Sequence, residues 1–142
     1  MTCKEVMTTR VTTCFPGASA QAAALIMSEE DVGIVPVIDP ETHRLLGVVT
    51  DRDLCLDVIA AGKHPREAHV AESLHPQPVT CRPDDSIETC LHLMQQHQVR
   101  RIPIIDDHGV CVGIVAQKDI ALRVPEPSAV HETVREISKS AG

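Results

Sequence analysis

Val32-Gly-Ile-Val-Pro-Val-Ile-Asp39 recurs 67 residues later as Val99-Arg-Arg-Ile-Pro-Ile-Ile-Asp106, and that repetition governs how the rest of the chain is read. The same offset carries upstream, where Thr13, Cys14, Pro16, Ser19 and Met27 match Thr80, Cys81, Pro83, Ser86 and Met94. Downstream, Gly47-Val-Val-Thr-Asp-Arg-Asp53 matches Gly113-Ile-Val-Ala-Gln-Lys-Asp119 at an offset of 66. The lost residue falls between two apolar runs, where a hairpin loop tolerates a change in length.

Each copy then reads as the same unit. Ile87, Cys90, Leu91 and Met94, with Ala20, Ala23, Ala24 and Met27 in the first copy, stand at i, i+3, i+4 and i+7 and mark a buried helical stripe. Ser19 and Ser86 are placed to cap those helices. The short β-branched runs Ile34–Ile38 and Leu45–Val49, and Ile102–Ile105 and Val110–Val115, predict two hairpins. Pro36 and Pro103 belong at an edge or bulge because proline gives no ladder hydrogen, which leaves a backbone carbonyl free for another use. A second helix follows each hairpin, from about Arg52 to Ala61 with Gly62 as its stop, and from about Lys118 to Val124.

The expected fold is α/β in the broad sense (α+β), with two pseudo-twofold repeats, each β-α-β-β-α. About 60 residues is marginal for an independent core, so the two sheets are expected to pack face to face. Residues 1–62 form the first repeat, 63–72 a connection, 73–124 the second repeat and 125–142 a tail. In that tail Val130, Val134 and Ile137 have near-helical spacing.

Composition narrows the function. With 43% apolar and 23% charged residues the chain is an ordinary globular sequence. One Phe, no Trp and no Tyr leave no stacking platform for single strands, and a formal charge of -7 opposes binding to phosphate backbones. Nucleic acid is therefore not an expected partner. Neither is a membrane, since no apolar run approaches the roughly 20 residues a span requires, and the start lacks the apolar core of a secretory leader. The cysteines, at 3, 14, 55, 81, 90 and 111, form no CxxC pair and read as reduced thiols of a cytoplasmic protein. Eight histidines show no HExxH motif or zinc-type spacing, so no metal site is expected.

The chemistry-bearing stretch is Thr50-x-x-Asp53. One reading is a capping box, with Asp a weaker partner than Glu. The other is a ligand site, in which helix-start amides face an anion and an ionised carboxylate accepts from a sugar diol. Both roles can share one helix end. Asp51, Asp53 and Asp119 are carboxylates near a possible cleft and Cys55 lies close in sequence to the first two, but no Cys/His or Ser/His arrangement accompanies them, so no catalytic residues are assigned.

From Val6 to Val124 the chain resembles the cystathionine-β-synthase (CBS) domain family, in its tandem form, the Bateman module. The resemblance rests on the two apolar-Pro-apolar-apolar-Asp strands, the glycine of each following strand, and Thr50-Asp-Arg-Asp53 and Ala116-Gln-Lys-Asp119. It implies a regulatory homodimer that takes an adenosine derivative (AMP, ATP, NAD or S-adenosylmethionine) in clefts between the repeats and acts on an unknown regulated protein. A ligand-free dimerisation or interaction module is the alternative.

The resemblance further implies that the first cleft has Thr50 facing phosphate and Asp53 on the ribose. Ile34, Pro78, Val79 and Val99 would line it, with Arg52 or Arg100 supplying positive charge. For the second it implies Asp119 on the ribose, with Val11, Thr12, Val32 and Gly33 as lining and Lys118 and Arg101 as cations. Pro78, Val79, Val99, Val11, Thr12 and Val32 have ordinary core packing as their other reading. Ala116 lacks the hydroxyl of Thr50, a loss that Arg100 and Arg101 would offset unless they are only a solvated charge pair. With Arg101 implied at the second cleft and only Gly33 and Ile34 at the matching positions of the first repeat, the first cleft is expected to favour a nucleoside or monophosphate and the second to tolerate more phosphate.

Overall fold

The computed structural model describes residues 1–123. Val124 and the tail, with its candidate last helix, lie outside the described residues. Among these, helices α1 (Cys3–Val6), α2 (Ala20–Glu30), α3 (Asp51–Leu54), α4 (Ile87–His97) and α5 (Gln117–Arg123) alternate with strands β1 (Ile34–Ile38), β2 (Leu45–Thr50), β3 (His75–Pro76), β4 (Arg101–Ile105) and β5 (Cys111–Ala116). A π-helical turn, Cys55–Ile59, prolongs α3, and a 3-10 turn spans Val70–Ser73.

Both hairpins form as the alternating runs predict. β1 and β2 are antiparallel with Ile34 opposite Thr50, and β4 and β5 with Arg101 opposite Ala116. Each has a register shift at the matching place, Val37/Ile38 and Ile104/Ile105. Ser19 and Ser86 cap α2 and α4, their hydroxyl oxygens accepting from the Ala22 and Thr89 amides at 3.1 Å. Gly62, at φ +73, ends the helix after the first hairpin in a conformation only glycine adopts cheaply.

Three expectations are corrected. The carbonyls of Pro36 and Pro103 are not free: they accept from the Cys14 and Cys81 amides at 3.0 and 3.2 Å, because the segment entering each repeat lies parallel to the proline strand for a single bridge. Ala24 is exposed, so the buried stripe of α2 is Ala20, Ala23 and Met27. Residues 63–72 are more than a connection. Ala68 and Val70 are buried in the first repeat's core, where the Ala20 amide donates to Ala68 O and the Val70 amide to Ala18 O, both at 2.8 Å.

The compact units consequently differ from the boundaries drawn by sequence similarity. One runs Thr12–Pro78, and the other joins Met1–Val11 to the chain from Val79 on. Each repeat is completed by a short arm, Met1–Val6 for the second and Ala68–Ser73 for the first. These arms are themselves related by the offset of 67. The Cys3 amide donates to Asp85 O at 2.8 Å and the Lys4 amide to Pro83 O at 2.9 Å, as the Val70 and Ala71 amides do to Ala18 O and Pro16 O. Glu5 and Glu72 close matching turns, accepting from the Thr2 and His69 amides at 2.9 and 2.6 Å.

After each arm the chain crosses the second hairpin strand. β3 pairs with β2 at Gly47 and Val48, and Thr8 bridges Ile114. Glycine is required there: a Cβ on Gly47 would collide with the backbone carbonyl of His75, and one on Gly113 would come within 2.5 Å of Met7 Sδ. Each unit closes on its own apolar cluster. Val35, Val37, Val49, Leu54 and Val70 anchor the first, and Ile87, Met94, Ile102, Ile104 and Ile120 the second.

Candidate functional site

The β2–α3 junction carries the most concentrated polar chemistry of the first unit. Thr50 leaves the sheet in extended conformation, and its side chain turns over the first turn of α3, where helical amides have no backbone partner. The Asp53 amide donates to Thr50 Oγ1 at 3.1 Å. In return Asp53 Oδ2 accepts from the Thr50 amide at 2.9 Å and from its hydroxyl at 2.6 Å. The capping box is therefore closed.

Asp53 Oδ1 faces the ring of His75, with Nε2 at 2.6 Å. His75 reaches it because β3 lies beside β2, a contact no local motif announces. The aspartate side chain is 15% exposed and the histidine 61%, so a largely solvated ring covers a largely buried carboxylate. Burial of Asp53 works to raise its pKa. The Thr50 hydroxyl, the His75 ring and the Thr50 amide outweigh that, and the carboxyl is held below its ordinary value.

The second repeat has the same backbone and fewer partners. Asp119 Oδ2 accepts from the Ala116 amide at 3.3 Å. Ala116 supplies no hydroxyl, and the residue 67 positions before His75 is Thr8. Gln117, the counterpart of Asp51, has a buried side-chain oxygen without a hydrogen-bond partner. Sequence reading singled out neither His75 nor Gln117.

The other expected site residues distribute as follows. Ile34, Thr50, Arg52, Asp53, Pro78, Thr12, Val32 and Gly33 belong to the first unit, and Val11, Val79, Val99, Arg100, Arg101, Lys118 and Asp119 to the other. Gly33 O accepts from the Asp51 amide at 2.9 Å and Arg100 O from the Gln117 amide at 2.8 Å, so strand entry and helix start are clamped alike in both repeats. Arg52, Arg100 and Lys118 are exposed and Arg101 is half-buried. Val79 and Val99 pack against the second unit's core. Thr12 donates its hydroxyl to Glu30 at 2.9 Å.

An apolar groove of about 480 Å³ lies elsewhere in the first unit, between α2 and α3. Ala20, Ala24, Met27, Leu54, Val58 and Ile59 line it, and neither Thr50 nor Asp53 does. Leu25, Leu56 and Ile59 are exposed on the same two helical segments.

The model of the CBS domain matches residues 3–58 and 70–126, one copy for each repeat. The chain belongs to the CBS domain family. CBS domain-containing protein YhcV of Bacillus subtilis is 40% identical over 119 residues, 84% of this chain and 82% of that one. Hypoxic response protein 1 of Mycobacterium tuberculosis is 36% identical over 129 residues, 91% and 89% of the two chains.

Among solved CBS structures, Hypoxic Response Protein I with two coordinated zinc ions has a TM-score of 0.79 at 36% identity, over 88% of this chain and all of that one. CBSX2 in complex with AMP has a TM-score of 0.73 at 26% identity, over 85% and 93%. CBS domains are generally regulatory and non-catalytic. No helix among the described residues is long and apolar enough to cross a membrane.

Proposed function

We propose that this CBS pair is a non-catalytic regulatory module of the cytoplasm. It binds an adenosine-containing metabolite of the AMP, ATP, NAD or S-adenosylmethionine class in the clefts implied by the family resemblance. Its output is a ligand-dependent rearrangement of the repeats or of a homodimer, read by a regulated protein. The observation that carries the reading is the Asp53 carboxylate, held ionised at a helix start with Oδ1 covered by an exposed ring. A ribose diol exchanges one hydrogen bond at Oδ1 for another when it displaces that ring. The AMP complex of CBSX2 supports the ligand class.

The ligand's phosphate is assigned in the first site to Thr50, the helix-start amides and Arg52 or Arg100, and in the second to Arg101; its base is assigned to Pro78, Val79 and Val99 in the first site and Val11, Thr12 and Val32 in the second. The first site takes a nucleoside or monophosphate and the second tolerates more phosphate. One observation favours the alternative, a ligand-free dimerisation module: both oxygens of Asp53 already have protein partners, and an apolar groove lies beside exposed Leu25 and Ile59.

Thermal unfolding with AMP, ATP, NAD and S-adenosylmethionine separates the two. A ligand at about a hundred times its Kd adds about 2.7 kcal/mol, and a shift with at least one of the four is expected. No shift with any of them leaves only the dimerisation reading.

A further inference from the structure

The second unit's core contains a cluster that the nucleotide reading does not use. Cys3 at the start of α1, Cys81 in the segment that bridges β4, and Cys90 on α4 are buried to 0%, 2% and 0% exposure. Their three Sγ atoms lie within 4.8 Å of one another. They come from three separate pieces of chain, so sequence spacing conceals them.

The repeat supplies its own control for what these positions need. At the offset of 67, Cys3, Cys81 and Cys90 correspond to Val70, Cys14 and Ala23 of the other unit. Those are equally buried, at 0%, 6% and 0%, and they fill the same place in the same backbone framework with one thiol. The two further sulfurs of the second unit are therefore not a requirement of the fold.

Three sulfurs converging in an apolar pocket form the donor set that selects soft cations. Metal–sulfur bonds of about 2.3 Å in a trigonal arrangement set sulfurs about 4.0 Å apart, so the cluster needs to contract by no more than about 0.8 Å. Isoleucines 87, 102, 104 and 120 and Met94 surround it and exclude water, which suits a closed site. We propose that Cys3, Cys81 and Cys90 bind one thiophilic metal ion, monovalent copper, through three thiolates; zinc, which takes a fourth ligand that the site does not supply, is the comparison. Each ligating thiol releases its proton to solvent. The ion would fasten the amino-terminal arm to the second repeat, since Cys3 is the arm's only contribution to the donor set.

The test titrates the full chain, purified under reducing conditions with chelator and then freed of it, with monovalent copper and separately with zinc. Metal analysis and X-ray absorption at the metal edge follow, and the two arms identify the ion. One ion per chain with a shell of three sulfurs is expected for monovalent copper. Cys3→Val and Cys90→Ala install the residues that the other unit tolerates at these positions, and each is expected to abolish binding while keeping the helical circular dichroism. Cys14→Ser and Cys55→Ser are expected to leave binding unchanged. No binding of monovalent copper to the wild-type chain, a shell without three sulfurs, or binding that survives in folded Cys90→Ala protein overturns the proposal. The wild-type spectrum decides the matter even if a core variant fails to fold.

Discussion

The helix start of the first repeat, Thr50 to Asp53, and that of the second, Ala116 to Asp119, share a backbone and differ in what holds the acid. Asp53 has three hydrogen bonds from Thr50 and His75, whereas Asp119 has one, longer, from the Ala116 amide. The fold needs the junction, because both repeats build it. The extra partners of Asp53 are a local addition, and under the proposed function they would set the state in which each carboxylate meets a ligand. One arrives pre-ordered and covered, the other with fewer ties.

The largest contrast between the repeats is expected at the strand crossings. Gly47→Ala drives a Cβ into the His75 backbone carbonyl, which cannot move without parting β3 from β2, and should cost about 3 kcal/mol. In Gly113→Ala the nearest atoms belong to the flexible Met7 side chain, with Thr8 O next at 3.1 Å, and the cost should be nearer 1 kcal/mol. Chemical denaturation of both variants measures the difference. Equal losses would mean that the two crossings are not differently supported.

His75→Ala makes the first repeat resemble the second by freeing Asp53 Oδ1. AMP binding at the Asp53 site should tighten by up to about tenfold, the worth of one competing hydrogen bond to a charged group. Weaker binding in titration calorimetry would show that the ring contacts the ligand instead of competing with it. Thr50→Ala removes the cap that the second repeat already lacks and should cost about 1 kcal/mol in thermal unfolding.

The smallest effect is the pH dependence. Because Asp53 is depressed in the folded state, its stabilisation is complete above the unfolded value of about 3.9 and is lost as pH falls through the folded value. Stability should decline on acidification below about pH 4. Asp53→Asn should flatten part of that decline, and identical acid profiles for the two proteins would contradict it.

The hairpins, both serine caps, the Gly62 stop and the closed Thr50–Asp53 box were legible because each depends on residues within a few positions of one another. What escaped reading is long-range. The arms share little beyond Glu5 and Glu72 at the offset of 67, so their exchange between repeats had too weak a signal to see. His75 meets Asp53 only because β3 joins the sheet, and the cysteine cluster assembles from both ends of a unit whose chain is discontinuous. The proline carbonyls were misread for the same reason: the amide that fills each one comes from a segment 22 residues upstream.

Titration calorimetry of AMP against the wild-type chain, Asp53→Asn and Asp119→Asn tests the central claim most directly. Measurable wild-type binding is expected, with a loss of about tenfold or more at the site whose carboxylate is neutralised, since a hydrogen bond to a charged acceptor is worth about 1.5–3 kcal/mol. Wild-type affinity in both variants would contradict it, as would the absence of any heat of binding in the unmodified protein.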